Sequence, residues 1–304
     1  MKRIVVLGCG YLGYHIANYF CGQSFDVIVV GRTNVYKEKL NFRIKFIESD
    51  IYDFDKYSLL LNSNTTVFYA AGTINATHSF DYIEKDIDGY KLFVRLLNKL
   101  ESTNIEQFVF LSSAGTVYGN RMGKVSETEQ LQPVNIYGLQ KLYFEQLIRL
   151  KHLHAGKLNF LIYRISNPYG GYQDPKKTQG IIPILINRAL NNQPVDIWVD
   201  LETKRDYIYI DDLLRFIHIL TFQCGQKNEI YNLASGTSST LREVISLVEQ
   251  YTQAKLKINK KTIGIPVISS IEVDITKIIT AANQTPLVTL SDGIKMLVDE
   301  MKGG

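Results

Sequence analysis

The amino-acid sequence predicts an α/β fold: a doubly wound parallel sheet covered by helices on both faces, with a smaller, discontinuous α/β lobe appended. Three observations carry that prediction. Short β-branched and aromatic runs alternate with helix-length stretches through the first half of the chain. Most of those runs are apolar almost throughout, as strands buried on both faces must be. After residue 164 the texture changes to a turn-rich segment followed by more widely spaced elements.

Taken in order, strands are expected at 4–7, 27–30, 43–47, 66–69, 108–111 and 160–163, with helices between them at about 11–21, 79–100 and 137–152. The helix at 79–100 repeats apolar residues at helical spacing, through Tyr90, Phe93, Val94 and Leu97. The segment Ser166-Asn167-Pro168-Tyr169-Gly170-Gly171 opens a turn-rich stretch running to about residue 180. A strand near 195–199, a helix at 211–222, a strand at 229–233 and helices near 240–252 and 289–301 follow. Residues 1–165, joined by about 206–235, are expected to form the larger domain, and 166–205 with 236–304 the smaller lobe. No repeat and no low-complexity tract divides them.

Composition narrows the function classes. The chain has 304 residues, 45% of them hydrophobic and 21% charged, which supplies ample side chains for a core. Thirty-four basic residues against 30 acidic ones leave a net charge of +4, with no basic block, so nucleic acid is not expected as a partner. Apolar runs such as Ile181–Ile186 fall far short of the ~20 residues that cross a bilayer. Met1-Lys2-Arg3 leads into a strand rather than a secretory h-region, and the expectation is a cytoplasmic protein with no membrane partner. Three cysteines, Cys9, Cys21 and Cys224, show neither a disulfide framework nor a zinc-binding spacing, and no metal is expected.

The first strand runs into Gly8-Cys9-Gly10-Tyr11-Leu12-Gly13 and then a helix. In that strand–turn–helix setting the spacing has a physical reading. Gly8 allows the tight turn, Gly10 admits a pyrophosphate close to the backbone, and Gly13 lets helix and strand approach, so the helix N-terminus faces the anion. The sheet is therefore expected to be of Rossmann type, with Tyr11 and Leu12 contributing at the helix start. The acidic residue expected ~20 residues on is replaced by Gly31-Arg32-Thr33. A guanidinium at Arg32 pairs with a 2′-phosphate that a carboxylate would repel, so NADP is favoured over NAD while NAD stays open. Asp50 and Ile51 after the third strand, and Ala70, Ala71 and Gly72 after the fourth, are expected beside the cofactor.

Two further segments set the reaction class: Leu111-Ser112-Ser113-Ala114-Gly115-Thr116-Val117-Tyr118-Gly119 and Tyr137-Gly138-Leu139-Gln140-Lys141. Tyr137 and Lys141, four apart, share a helix face. A free phenol has a pKa of about 10, so acid–base work near neutrality requires a neighbouring cation, here Lys141 and an oxidised nicotinamide. Hydroxyls of the Ser113–Thr116 turn would hold a substrate oxygen during hydride transfer, which is alcohol–ketone interconversion. The plain alternative is an exposed Tyr–Lys pair without function.

Together these motifs resemble the extended short-chain dehydrogenase/reductase family, and within it the nucleotide-sugar epimerase/dehydratase group that includes UDP-galactose 4-epimerase. The resemblance spans nearly the whole chain, adding Arg164-Ile165-Ser166-Asn167-Pro168-Tyr169-Gly170, Arg205-Asp206-Tyr207-Ile208-Tyr209-Ile210-Asp211-Asp212 and Tyr231-Asn232-Leu233-Ala234-Ser235-Gly236 in the family's order. It implies that Tyr137 is the acid/base, that Lys141 binds the nicotinamide ribose and lowers the tyrosine pKa, and that Asn167 and Arg205 contact the substrate diphosphate. It further implies a homodimer, in which helices 79–100 and 137–152 pair into a four-helix bundle. The plainer alternative is packing within one chain.

The family pattern breaks in four places. Ala114 stands at the usual catalytic Ser or Thr, so Thr116 or Ser113 must hold the sugar oxygen, with Thr116 preferred. Gly115-Thr116 replaces the dehydratases' Asp-Glu pair, which disfavours dehydration. Trp198-Val199-Asp200-Leu201-Glu202 replaces a glycine-containing turn, and Ile263-Gly264-Ile265-Pro266 lacks an Arg that commonly makes a second diphosphate contact. The leading expectation is an NAD(P)-dependent nucleotide-sugar C4 epimerase. The alternatives are an NADPH-dependent 4-ketosugar reductase, toward which Arg32 leans, and a non-catalytic dinucleotide sensor, for which Ala114 argues.

Overall fold

Strands with apolar side chains on both faces need cover on both sides. A computed structural model of the chain, describing residues 1–33, 36–72, 83–121, 123–173, 180–261 and 270–303, shows how that cover is arranged. The first half runs β1 (Arg3–Leu7), α1 (Tyr11–Gly22), β2 (Asp26–Gly31), β3 (Lys45–Glu48), β4 (Thr65–Tyr69), α2 (Ile83–Ser102), β5 (Gln107–Ser113), α3 (Ala114–Val117), β6 (Lys124–Val125), α4 (Ile136–Ala155) and β7 (Phe160–Ile165). The second half continues with β8 (Asn167–Tyr169), α5 (Ile181–Leu190), β9 (Pro194–Ile197), β10 (Lys204–Tyr209), α6 (Ile210–His218), β11 (Glu229–Leu233) and β12 (Ser238–Thr240). It ends with α7 (Leu241–Thr252), β13 (Lys257–Lys260), β14 (Glu272–Val273), α8 (Thr276–Ala282) and α9 (Leu290–Gly303).

Seven parallel strands form the main sheet in the order β11-β7-β5-β4-β1-β2-β3. Side chains alternate between two layers: Ile4 and Val6 of β1 enter one, Val5 and Leu7 the other. The first layer takes Ile16, Ala17 and Phe20 of α1 and Leu213, Phe216 and Ile217 of α6, together with C-terminal elements. The second takes Phe93, Leu97 and Leu100 of α2 and Phe144 and Ile148 of α4. There Phe93 and Phe144 stack with ring centroids 3.8 Å apart. This is the predicted Rossmann-type sheet. Its strand order reverses at β1, between β4 and β2, and the crevice at the carboxyl ends of those strands is where such sheets bind ligands.

Outside the main sheet, β8 and β10 run parallel, β12 joins β10 antiparallel, and β13 pairs with β9. Residues 229–233 form the edge strand of the main sheet, whereas Lys204–Tyr209 lies in the three-stranded sheet.

Some elements differ from the sequence reading. The third strand begins at Lys45 rather than residue 43, because Arg43 is drawn into a turn: its backbone N–H donates to Asn41 Oδ1 at 3.0 Å and its guanidinium to the Cys21 carbonyl. Helix α5 lies in a stretch for which the sequence reading gives no helix. Ile182, Leu185, Ile186 and Ala189 bury one stripe of it, and Pro183 sits in its first turn, where no backbone N–H is required. The expected helix start at 79–82 and the segment 263–266 lie outside the described residues. No helix among the described residues is long and apolar enough to cross a membrane.

Candidate active site

The glycine turn occupies the switch point. The Gly8 N–H donates to the Val30 carbonyl at 2.8 Å and the Ala70 N–H to the Leu7 carbonyl at 2.9 Å, which ties the turn to the ends of β2 and β4. Gly8 has φ +110°, and a Cβ there would meet the Ala71 nitrogen at 2.8 Å. A Cβ on Gly13 would lie 2.0 Å from the Gly8 carbonyl oxygen, so α1 reaches this depth only with glycine. Gly10, by contrast, faces open space. It precedes α1 without a side-chain cap, and the first turn of the helix holds no acidic residue. The free N–H groups of a helix start, beside an open glycine, fit a pyrophosphate.

The other residues expected at the cofactor lie at the start of α1 and after the carboxyl ends of β2, β3 and β4. Leu12 is half-buried, and the Tyr11 hydroxyl donates to the Gly170 carbonyl at 2.8 Å, so only the backbone of Tyr11 is left to serve the helix start. Arg32 follows β2 and is exposed. Asp50, exposed beyond β3, accepts the Tyr52 N–H at 2.9 Å. Ile51 is buried, and its carbonyl accepts the Tyr57 hydroxyl. Ala70 and Ala71 are half-buried and Gly72 is exposed at the end of β4.

The second part of the site is the start of α4. Asn135 caps it, its Oδ1 accepting the Gly138 N–H at 2.8 Å. Gly138 packs so closely on the turn of α3 that a Cβ would lie 2.4 Å from the Thr116 carbonyl oxygen. This approach sets Tyr137 beside the turn that carries Ser113 and Thr116. Ser113 ends β5, and its carbonyl accepts the Thr116 hydroxyl at 3.4 Å. One helical turn further, Lys141 is buried: its Nζ donates to the Leu111 carbonyl at 2.9 Å and lies 5.6 Å from the Tyr137 ring centroid. Among the described residues the Tyr137 hydroxyl has no hydrogen-bond partner. Desolvation pushes its phenol up to about 12. Desolvation also brings the Lys141 ammonium down to about 8, against the opposing charge of Glu145.

The third part is a cavity of about 320 Å³ in the second half of the chain. Asn167 and Arg205 both line it, with Trp198, Val199, Thr203 and Tyr207. Parallel pairing of β8 with β10 brings the two together: Asn167 is the register partner of Tyr207, and its Nδ2 donates to the Asp206 carbonyl at 2.7 Å. Burial lowers the Arg205 pKa, so an anion entering the cavity gains from a poorly solvated guanidinium. Asp206 beneath it accepts the Ser235 and Gly236 N–H groups at 2.9 and 2.8 Å.

Sequence reasoning missed Glu145, Arg164 and Tyr118 as parts of one buried cluster behind α4. The spacing of Glu145 four residues after Lys141 was the available signal.

The chain is 33% identical over 275 residues to the dTDP-4-dehydro-6-deoxyglucose reductase of Escherichia coli, covering 86% of this chain and 83% of that one. It is 30% identical over 305 residues to a putative UDP-glucose 4-epimerase of Methanocaldococcus jannaschii, covering 98% of each. The crystal structure of the Thermotoga maritima UDP-glucose 4-epimerase with UDP-glucose superposes with a TM-score of 0.90 at 27% identity, covering 99% of both chains. Residues 4–234 match the model of the NAD dependent epimerase/dehydratase family, and the chain, an NAD-dependent enzyme of the extended short-chain dehydrogenase/reductase type, belongs to that family.

Proposed function

We propose that the protein is a nucleotide-sugar 4-epimerase acting on a UDP- or other NDP-hexose. The observation that carries this reading is the seating of α4 on the Thr116 turn, which sets Tyr137 and Lys141 beside the Ser113–Thr116 turn at the carboxyl end of β5, one strand beyond β4, which flanks the glycine turn. Bound NAD supplies a hydride acceptor that returns what it takes. The chain's own residues do the rest. Arg205 and Asn167 hold the diphosphate in the cavity, and Thr116, with Ser113 as the other available hydroxyl, holds the C4 oxygen. Tyr137, as phenolate beside the Lys141 ammonium, removes the C4 hydroxyl proton while C4 gives up its hydride, leaving a 4-ketosugar. After the sugar turns over, C4 regains hydride on its other face and Tyr137 returns the proton. Atoms and charge balance over the cycle, so no external reductant is consumed.

A second reading, a 4-ketosugar reductase, is favoured by two observations: the 33% identity to the Escherichia coli reductase, and Arg32, exposed at the end of β2, which supports acceptance of NADP as well as NAD. One experiment separates them. Purified protein is incubated with UDP-glucose, UDP-galactose and their N-acetyl forms without added cofactor. Epimer interconversion with no NADPH consumption supports the epimerase; no interconversion, with NADPH oxidised only when a nucleotide-linked 4-ketosugar is supplied, supports the reductase.

A homodimer is part of the same proposal. Leu139, Tyr143, Leu150 and Leu153 of α4 are exposed, at spacings that place them on one stripe of the helix. Such a stripe suits a second copy of the chain across a two-fold axis.

A further inference from the structure

Glu145 lies one helical turn after Lys141 and is fully buried. Its carboxylate is gripped from two neighbouring strands. Arg164 of β7 reaches it with Nη2 at 2.8 Å and with Nε at 3.1 and 3.3 Å from the two oxygens, and the Ser112 hydroxyl of β5 donates to it at 2.5 Å. Ser112 and Arg164 are register partners, so the two strands present both donors side by side to α4. Arg164 continues the cluster, donating through Nη1 to the Tyr118 hydroxyl at 3.0 Å and to the Glu127 carbonyl at 3.1 Å. The Tyr118 hydroxyl donates in turn to Asn232 Oδ1 at 2.7 Å.

Four members of the cluster, Glu145, Ser112, Tyr118 and Arg164, lie on or next to elements that carry parts of the candidate site. Glu145 shares α4 with Tyr137 and Lys141. Ser112 and Tyr118 bracket the Ser113–Thr116 turn, and Arg164 precedes Asn167 by three residues. Burying an ion pair is costly, and apolar packing of similar volume commonly stabilises as well or better. A cluster placed here is therefore better explained by position and charge than by stability.

We infer that Glu145 is the positioning residue of the Tyr137–Lys141 pair: its carboxylate, locked by Arg164 and Ser112, sets the seating of α4 against β5 and keeps Lys141 an ammonium. The functional half of this inference rests on the acid/base reading of Tyr137 and Lys141 given above. Among the described residues the groups facing Lys141 are few. On α4 they are Tyr137 and Glu145; on β5, the Leu111 carbonyl and the Phe110 ring, 4.8 Å from Nζ. Behind Glu145 stand Arg164 of β7, Tyr118 and the loop residue Glu127, whose own carboxylate accepts the Asn232 N–H at 2.8 Å. Among these Glu145 is the anion that acts on Lys141, opposing the fall that burial imposes.

The test reads Lys141 directly. Protein labelled with 13C at lysine Cε is titrated by NMR, and the Lys141 signal is identified by its loss in Lys141→Met. Glu145→Gln keeps the side-chain shape and one accepting oxygen for Arg164, its NH2 being left to donate to the Ser112 oxygen, but removes the charge, and the Lys141 midpoint is expected to fall by about one pH unit or more. An unmoved midpoint overturns the inference. Glu145→Asp keeps the charge on a side chain one methylene shorter. It is expected to hold the midpoint near the native value while lowering kcat with UDP-glucose about tenfold at unchanged KM, and a native kcat overturns the positioning role even if the Gln variant does not fold. If the midpoint falls in Glu145→Gln but the basic limb of the kcat profile stays in place, the acid/base assignment of the pair fails and the charge coupling stands.

Discussion

A phenol pushed up to about 12 is a poor base at neutral pH, and the half-buried Tyr137 begins from that disadvantage. In the proposed mechanism its activation comes from positive charge, and Lys141, its Nζ 5.6 Å from the Tyr137 ring centroid, is the cation one turn away. Tyr137→Phe is expected to lower kcat by about 10²–10⁴-fold while NAD titration shows native affinity, because the ring is kept and only the proton carrier is lost. Lys141 contributes at a cost to stability. Its folded pKa of about 8 lies below the ordinary 10.5, so the native state binds fewer protons than the unfolded chain between those values. The penalty is therefore full below about pH 8 and fades as pH rises toward 10.5. Lys141→Met is expected to abolish turnover yet to raise the melting temperature of the cofactor-free protein at pH 7, with the gain shrinking by pH 10. Calorimetric scans at the two pH values check this.

At the scale of elements, the site depends on how closely helices approach turns. α1 reaches the glycine turn because Gly13 has no side chain, and α4 reaches the Ser113–Thr116 turn because Gly138 has none. Gly138→Ala would place a methyl 2.4 Å from a carbonyl oxygen of α3, a backbone atom that cannot swing aside. α4 must then lift or tilt. The expected cost is about 1–3 kcal/mol of stability, with a fall in kcat larger than that loss of folded protein explains, since Tyr137 moves with the helix. Denaturant unfolding and turnover measured on the same preparation separate the two effects. The β8–β10 pairing works differently: it brings Asn167 and Arg205 together through backbone register, with the Asn167 amide adding one bond to the Asp206 carbonyl, so the Arg205 side chain is the one that can be exchanged without removing a tie between these two strands.

For the whole molecule, the asymmetry of α4 is the informative feature. One face packs Phe144 and Ile148 into the core, while Leu150 and Leu153 on another stripe are 61% and 76% exposed. Apolar side chains this exposed on a long helix are a liability in a monomer. On the proposed homodimer, Leu150→Glu combined with Leu153→Glu is expected to shift the particle mass from that of two chains to that of one in light scattering at micromolar concentration, with the fold retained by circular dichroism. A native particle mass in the double variant would remove this face from the interface.

What the sequence by itself determined was whatever depends on local spacing. The apolar strand runs dictated a sheet buried on both faces, the Gly8–Gly13 spacing dictated the strand–turn–helix, and the four-residue step from Tyr137 to Lys141 dictated a shared helix face. Helix α5 was obscured because Pro183 reads as a breaker unless its place in the first turn is known, β8 has only three residues, and β10 opens on the charged run Lys204-Arg205-Asp206. Tertiary structure alone decided which distant residues meet. Ser112, Glu145 and Arg164 converge because β5 and β7 are neighbours beneath α4, and Arg205 joins Asn167 because their strands pair in register. Burial, which sets the cost and the charge state of Lys141, likewise arises only when separate elements close over it, and no local pattern encodes that closure.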